Sequence, residues 1–183
     1  KNNSYDTICH EHLEYYSLKS IKFILDKVGF KIIDLQFNDI NGGSFALTVA
    51  KKTSKKFKET SSLINWLLQK EELFNYNTIS AFKSFYNNIS KHKKIFRDLI
   101  LNLRNDKKNI IGYGASTKGN IILQFCNLNS KHIPYIAEVN KFKFNRYTPG
   151  SNIKIISEYK AKKINPDYFL VLPWHFKNHI IKK

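Results

Sequence analysis

The sequence predicts an α/β protein in which a small parallel sheet with flanking helices forms the C-terminal part. Toward the C-terminus, short apolar stretches of strand length alternate with helical patterns, which is typical of parallel βα units. Ahead of them, apolar residues recur at spacings of three and four over a long stretch, as in a long helix. Near the start, one helical pattern precedes two strand-like stretches. The sheet is therefore expected to follow a helix, a strand pair and a long helical linker.

The first elements are a helix and two strands. Over residues 17–28, apolar side chains return every three or four positions, which predicts a helix that Gly29 closes. Residues 30–37 are rich in Ile and Phe, and residues 44–50 alternate large with small side chains, so both stretches predict strands. The Asn-Gly-Gly sequence at 41–43 is typical of a turn between such strands.

Two helices are predicted next, over residues 60–75 and 78–105, after a Lys-rich stretch at 51–58 that marks a boundary. The second helix has an apolar stripe that Lys93 interrupts, formed by Ile79, Phe82, Tyr86, Ile89, Phe96, Ile100 and Leu103. We interpret it as a long helix that lies across a junction between two lobes. A self-associating coiled coil is the less favoured interpretation.

The last part of the chain predicts strands that alternate with a helix. The stretches are a strand at 109–113, a helix at 118–127, a strand at 133–139, a loop at 140–150 and a strand at 167–172. Because strands in such an order pair in parallel, we expect a small parallel sheet with right-handed crossovers. Ligands bind at the carboxyl ends of the strands in sheets of this type.

The composition limits the classes of partner. The 183-residue chain carries a net charge of +17, but 28 of its 31 basic residues are scattered lysines, so we interpret most of the charge as solvated surface. We expect no nucleic acid and no membrane as partner, since no apolar run approaches the ~20 residues of a membrane helix. Cys9 and Cys126 lack metal-ligand spacing, so we expect no metal site and a cytoplasmic, reducing location.

A first chemically useful cluster is the sequence Cys-His-Glu-His at residues 9–12, followed by Tyr15 and Tyr16. A His held by a neighbouring carboxylate suits general base catalysis, because its pKa lies near neutrality and the carboxylate fixes its tautomer. A metal pair at His10 and His12 is a weaker interpretation, because no second ligand cluster follows. A solvated polar segment ahead of the next helix is a third, open interpretation.

A second and more specific cluster is the sequence GYGASTKGN at residues 112–120, between a predicted strand and a predicted helix. The N–H groups and the dipole at the start of a helix favour phosphate, and Ser116, Thr117 and Lys118 add hydroxyls and a positive charge. Thr117 stands where a full G-x-G-x-x-G motif has its third glycine, and the pattern is not a Walker A loop. Glu138 ends the next strand, where an acidic residue meets a ribose hydroxyl in dinucleotide-binding folds. A tight turn that serves packing alone is the alternative.

Two further segments follow strands of the predicted sheet. Arg146 and Tyr147 lie in the loop after the second strand, where an arginine can clamp a pyrophosphate opposite Lys118. A salt bridge within the loop is an equally open interpretation of Arg146. Trp174 and His175 come directly after the last strand, at the edge where ligands bind.

Taken together, these segments resemble the sugar C-methyltransferases that act on nucleotide-linked keto sugars. The matching stretches are YDTICHEHLEYYSL at 5–18, NGGSFALTVAKK at 41–52, GYGASTKGN at 112–120, NRYTPG at 145–150 and YFLVLPWHF at 168–176. The resemblance extends over nearly the whole chain, and five ordered motifs with compatible spacing make it specific.

The resemblance implies a domain organisation. Family members look like three-part proteins, with a cysteine-rich zinc domain, an S-adenosylmethionine-binding domain and a C-terminal Rossmann-like domain. Residues 1–53 resemble the end of the methyltransferase domain, residues 54–106 a helical linker, and residues 107–183 the Rossmann-like nucleotide-sugar-binding domain. The chain shows no glycine-rich methyltransferase loop near its start and no cysteine cluster. We therefore expect the S-adenosylmethionine site mostly upstream, zinc only in an N-terminal domain absent here, and no activity from this chain alone.

The resemblance also implies roles for residues. A proton is removed from a sugar carbon next to a ketone, and the enolate carbon then attacks the methyl group. His12, supported by Glu11, is expected to be the base, and Tyr15 or Tyr16 to supply a hydroxyl, because Cys9 stands where relatives often have Tyr. The residues expected to bind the nucleotide-diphosphate sugar are Gly112, Tyr113, Gly114, Ser116, Thr117, Lys118, Asn120, Glu138, Arg146, Tyr147, Trp174 and His175.

Two other classes of protein remain open at this point. A stand-alone nucleotide-binding module would explain residues 112–120 and Glu138 but gives no role to residues 9–12. A basic nucleic-acid binder would explain the charge but lacks a recognisable motif. We expect a monomer or a weak dimer.

Overall fold

The computed structural model describes residues 3–39, 42–76 and 78–182. Their contacts form two compact units: the first contains His12–Asn88, and the second contains Ser4–Glu11 and Ile89–Lys183. The long helix α3 (Ile79–Asn105) begins in the first unit and ends in the second. Ser4–Glu11 therefore belong to the second unit, although they lie near the start of the chain.

The first unit is built around an antiparallel strand pair. It contains α1 (Leu18–Lys27), β1 (Phe30–Asn38), β2 (Ser44–Lys51), α2 (Ser61–Leu73) and the start of α3. β1 and β2 pair antiparallel with a bulge after Ile32, and Leu18, Ile32 and Ile64 are fully buried between helices and strands. The buried Glu71 carboxylate accepts hydrogen bonds from the backbone N–H groups of Leu18 and Lys19 at 2.5 and 3.0 Å. A carboxylate in this position stabilises the N-terminus of α1.

The second unit is built around a parallel sheet. Its elements after α3 are β3 (Ile110–Tyr113), α4 (Thr117–Phe125), β4 (Tyr135–Glu138), β5 (Lys154–Ser157), α5 (Glu158–Ile164), β6 (Tyr168–Val171) and α6 (Lys177–Ile181). Short 3-10 turns lie at Tyr5–Thr7, Lys141–Lys143 and Trp174–Phe176. Within the described part of the chain, the strands of this unit pair in parallel in the order β5-β4-β3-β6. The loops after β3, β4 and β6 therefore meet at one edge of the sheet.

The structure confirms the predicted α/β class, the leading helix and strand pair, the long helix and the parallel sheet. β5 and α5 were not predicted, because β5 has only Ile155 and Ile156 as apolar residues, and α5 is a Lys-rich helix of seven residues in which only Ala161 is buried. Asn41 of the predicted turn lies outside the described residues. The domain boundaries at residues 53 and 106 stay a prediction. None of the helices described is both long and apolar enough to cross a membrane.

Candidate functional site

The loop between β3 and α4 makes a tight turn against a neighbouring loop. Gly114 has a φ of +83°, and a Cβ atom there would lie 2.7 Å from the ring of Pro173, which follows β6. Ser116 then caps α4, because its Oγ accepts a hydrogen bond from the N–H of Gly119 at 3.0 Å. Only glycine combines that φ with so close an approach at position 114.

The other two glycines of this region also face protein atoms. A Cβ on Gly112 would lie 2.8 Å from Ile136 Cγ1, and one on Gly119 would lie 2.7 Å from Leu172 Cβ. These contacts hold β3 and α4 close to the adjacent strands. Packing thus explains the glycines of this loop. A ligand would bind in the space beside the loop.

Glu138 braces the loop from the carboxyl end of β4. Its Oε2 accepts a hydrogen bond from Ala115 N at 3.0 Å, and its Oε1 accepts from Val139 N at 2.7 Å and Asn140 N at 3.0 Å. The Lys143 ammonium lies 3.6 Å from Oε2 and donates to the Ala115 carbonyl at 2.7 Å. The buried carboxylate is therefore compensated by backbone donors and one cation.

A cavity of about 310 Å³ opens between the carboxyl ends of β3 and β4. Its walls are mostly apolar and include Tyr113, Val139, Pro173, Phe176 and Ile180. Its polar groups come from Ser116, Glu138, Lys143 and His179. Burial and the nearby Glu158 carboxylate raise the pKa of Tyr113, so its hydroxyl stays protonated near neutral pH. A flat, largely apolar ring with a few polar edges suits this space.

A second cavity of about 260 Å³ adjoins the first and shares Ala115 and Lys143 with it. Its lining includes Thr117 and Asn120 from α4 and Arg146 and Tyr147 from the loop after β4. The exposed Arg146 side chain donates from Nε to the carbonyl of Phe142 at 2.9 Å, which orients the guanidinium. The Arg146 guanidinium, together with the Lys143 ammonium that Glu138 partly neutralises, favours an anionic group such as a phosphate.

Asn120 adds an unusual acceptor to the second cavity. Its Oδ1 is buried and has no hydrogen-bond partner among the described residues. An acceptor without a partner costs free energy, which a hydroxyl or N–H donor from a ligand would recover.

Lys118, Trp174 and His175 form a group of their own within the second unit. The Lys118 ammonium lies 3.0 Å from His175 Nε2, and Trp174 Nε1 donates to Asp6 Oδ2 at 2.8 Å. Lys118 lines neither of the two cavities. Its expected contact with a phosphate therefore stays a prediction, as do the roles expected of Trp174 and His175.

The middle of the Cys-His-Glu-His segment is exposed, whereas Cys9 and His12 at its ends are partly buried. The His10 and Glu11 side chains are 83% and 59% exposed, and His10 Nε2 lies 3.9 Å from Glu11 Oε1. His12 is partly buried, whereas Tyr15 and Tyr16 are exposed, with the Tyr16 hydroxyl donating to Glu14. The structure thus brings Glu11 close to His10, and the proposed support of His12 by Glu11 stays a prediction. No group of three or more potential metal ligands occurs among the described residues.

Sequence reasoning missed three residues of this region: Asp6, Lys143 and His179. Lys143 lines both cavities but stands in a Lys-rich loop, so its sequence context did not distinguish it from Lys141. Asp6 meets Trp174 across 168 positions of the chain, which no local pattern signals. His179 lies on α6, a helix of five residues without an apolar repeat.

The second unit thus has a parallel sheet with two cavities at the carboxyl ends of its strands, the edge at which small molecules commonly bind in sheets of this type. A sequence model of the family described as the C-methyltransferase C-terminal domain matches residues 39–183, and the chain belongs to this family. The C-methyltransferase NovU of Streptomyces niveus is 30% identical over 181 residues, which are 99% of this chain and 43% of that protein. The chain thus spans less than half the length of this relative. The predicted resemblance to C-methyltransferases is confirmed.

Proposed function

We propose that this chain is the C-terminal part of an S-adenosylmethionine-dependent C-methyltransferase that acts on a nucleotide-diphosphate-linked keto sugar. The observation that carries the proposal is the family match over residues 39–183, supported by the relative named a C-methyltransferase. The whole protein catalyses the reaction, and the second unit of this chain binds the nucleotide part of the substrate.

The two adjoining cavities support nucleotide binding. The apolar cavity beside Tyr113 and Phe176 suits a nucleobase, and the cavity beside Arg146 and Lys143 suits a diphosphate. Glu138 does not repel the phosphates strongly, because three backbone N–H groups and Lys143 already compensate its charge. The cavities share Lys143, so one ligand can extend from one to the other.

S-adenosylmethionine supplies an electrophilic methyl group when it is bound. Among the residues described, His12–Asn88 contain helices and an antiparallel pair, and no parallel strand–turn–helix that would cradle such a nucleoside. This part of the chain therefore does not fit the methyl donor, and the cavities of the second unit are assigned to the nucleotide, so we assign the methyl-donor site to a part of the protein outside this chain. Titration of the chain with S-adenosylmethionine is expected to show no binding, and micromolar binding would contradict this assignment.

His12 is the proposed base that removes the proton next to the ketone. A neutral imidazole takes the proton, and Glu11 or the hydroxyls of Tyr15 and Tyr16 stabilise the charges that develop. His12 is partly buried, whereas the more exposed His10 has no proposed role.

Exchange of deuterium from solvent into the keto sugar, followed by NMR without methyl donor, tests this step in the protein that includes the upstream part. His12→Asn is expected to slow exchange by about 10²–10⁴-fold, the usual contribution of a general base. His10→Asn is the matched control and should exchange at the parent rate. Equal exchange in His12→Asn and the parent would exclude His12 as the base. Nucleotide binding without any exchange by the parent would instead favour a binding module.

A further inference from the structure

Asp6 is a buried carboxylate that the proposed chemistry does not use. It is 2% exposed and lies in the 3-10 turn Tyr5–Thr7. Its Oδ2 accepts a hydrogen bond from Trp174 Nε1 at 2.8 Å and lies 3.9 Å from His175 Nε2. Removing a carboxylate from water costs several kcal/mol unless positive charge and hydrogen-bond donors compensate it.

Lys118 supplies positive charge beside the same ring nitrogen of His175. Its ammonium lies 3.0 Å from His175 Nε2. Because an ammonium group has only donors, Nε2 is the acceptor and the proton of the neutral ring is on Nδ1. Burial and the charge of Lys118 hold the pKa of His175 below its ordinary value, against the opposing effect of Asp6. A ring that stays neutral keeps Nε2 available as an acceptor.

The turn that carries Asp6 is fixed on its other side. The buried Tyr5 hydroxyl lies 3.2 Å from His92 Nδ1 and 3.6 Å from Cys126 Sγ, and its ring is centred 4.9 Å from the ring of Phe125. The backbone of Asp6 is therefore held by contacts to α3 and to the end of α4. Its carboxylate has a fixed position relative to Trp174.

We propose that His175 is a positioning residue that holds the Lys118 ammonium at the first turn of α4, and that Asp6 positions His175 through its hydrogen bond with the adjacent Trp174. Ser116 and Thr117, directly before Lys118, line the two cavities, so a fixed Lys118 adds positive potential beside them. The effect on ligand binding rests on the proposed nucleotide function. The position of Lys118 itself does not.

The arrangement requires a neutral His175. The charged groups that act on this ring are Lys118 from α4 and Asp6 from the 3-10 turn. Protonation would place two cations 3.0 Å apart and would give Asp6 a cationic neighbour at 3.9 Å. The ring would then attract Asp6 and repel Lys118, so the contact with Lys118 is lost at low pH.

The ¹⁵N chemical shifts of the His175 imidazole test the proposal in the chain without ligand. At pH 8, we expect Nε2 without a proton and Nδ1 with one. Lys118→Gln should raise the pKa of His175, Asp6→Asn should lower it, and the exposed control Asp98→Asn should leave it unchanged. A proton on Nε2 of the neutral ring would overturn the proposal, and so would a His175 pKa that neither Lys118→Gln nor Asp6→Asn changes. If Asp6→Asn does not fold, the parent tautomer and Lys118→Gln decide the question.

A double-mutant cycle measured with a nucleoside diphosphate tests the functional consequence. Lys118→Gln and Asp6→Asn should each weaken binding by about tenfold, and the double variant should bind no more weakly than either single one. Additive losses would show that Asp6 acts independently of Lys118 and would overturn the positioning role. Absence of nucleotide binding by the parent would overturn the proposed function alone, because the imidazole measurement needs no ligand.

Discussion

The β3–α4 loop and the Cys-His-Glu-His segment carry the two predicted clusters, and the structure holds them in opposite ways. In the loop, Gly114 packs against Pro173. The backbone of Ala115 is hydrogen-bonded to the Glu138 carboxylate through its N–H group and to the Lys143 ammonium through its carbonyl. In the segment, the His10 and Glu11 side chains are mostly exposed. Substitutions in the loop should therefore lower the free energy of unfolding. Substitutions in the segment should instead change the rate of proton removal and leave the free energy of unfolding unchanged.

Gly114→Ala should give the largest loss of stability. A residue other than glycine at a φ of +83° costs about 1–3 kcal/mol, and the new Cβ would also lie 2.7 Å from Pro173. Urea denaturation measures the loss. Gly29→Ala is the matched control, because Gly29 has a φ of +79° with no atom within 4 Å of its Cβ position. Equal losses in the two variants would mean that Pro173 moves aside without cost.

Stability should also fall as the pH decreases from 7.5 to 5.5. Burial is the main cause that lowers the pKa of both His175 and His132, with additional effects from Lys118 on the first and Arg97 on the second. In the unfolded chain, each ring takes up a proton near its ordinary pKa of about 6.5. The unfolded state thus binds more protons below that pH, and the free energy of unfolding decreases as the pH falls toward the folded-state values.

Urea denaturation at several pH values across this range measures the slope of the free energy of unfolding against pH. His175→Gln and His132→Gln should each make it shallower, and His10→Gln, at an exposed site, should not. A slope that is unchanged in both His175→Gln and His132→Gln, at partly buried sites, would contradict the assignment of a lowered pKa to these rings.

Substitutions of the two exposed side chains of the Cys-His-Glu-His segment, His10 and Glu11, should change the free energy of unfolding least. His10→Asn and Glu11→Gln should leave the free energy of unfolding within about 0.5 kcal/mol of the parent, as is usual for surface positions. Glu11→Gln should slow deuterium exchange less than His12→Asn, because it removes a charge but leaves the imidazole in place. A loss of stability as large as that of Gly114→Ala would show that the segment is structurally fixed.

The sequence predicted the helices and strands of the fold better than it predicted why particular residues stand at particular positions. The alternation of strands and helices was sufficient for the parallel sheet, because apolar periodicity reports burial directly. The GYGASTKGN segment suggested a phosphate site, yet a Cβ atom on Gly112, Gly114 or Gly119 would meet a side chain of this chain. A glycine pattern indicates close approach, and only the structure identifies what approaches.

Residues of the candidate site were predictable where they follow a strand and not where they depend on distant contacts. Glu138 could be found from its place at the end of β4, although its backbone partners could not. Lys143 and Asp6 act through atoms far along the chain, at Ala115 and Trp174. Such contacts are set by tertiary packing, which a single sequence does not display.

Calorimetric titration of the chain with several nucleoside diphosphates tests the central claim, that the paired cavities of the second unit bind the nucleotide of the substrate. We expect binding of at least one nucleoside diphosphate, weakened about tenfold or more by Lys143→Ala and by Arg146→Ala, since each removes a charge-assisted contact. Lys141→Ala, an exposed neighbour in the same 3-10 turn that lines neither cavity, should bind as the parent does. No binding of any nucleoside diphosphate, or an equal loss in Lys141→Ala and Lys143→Ala, would contradict the account.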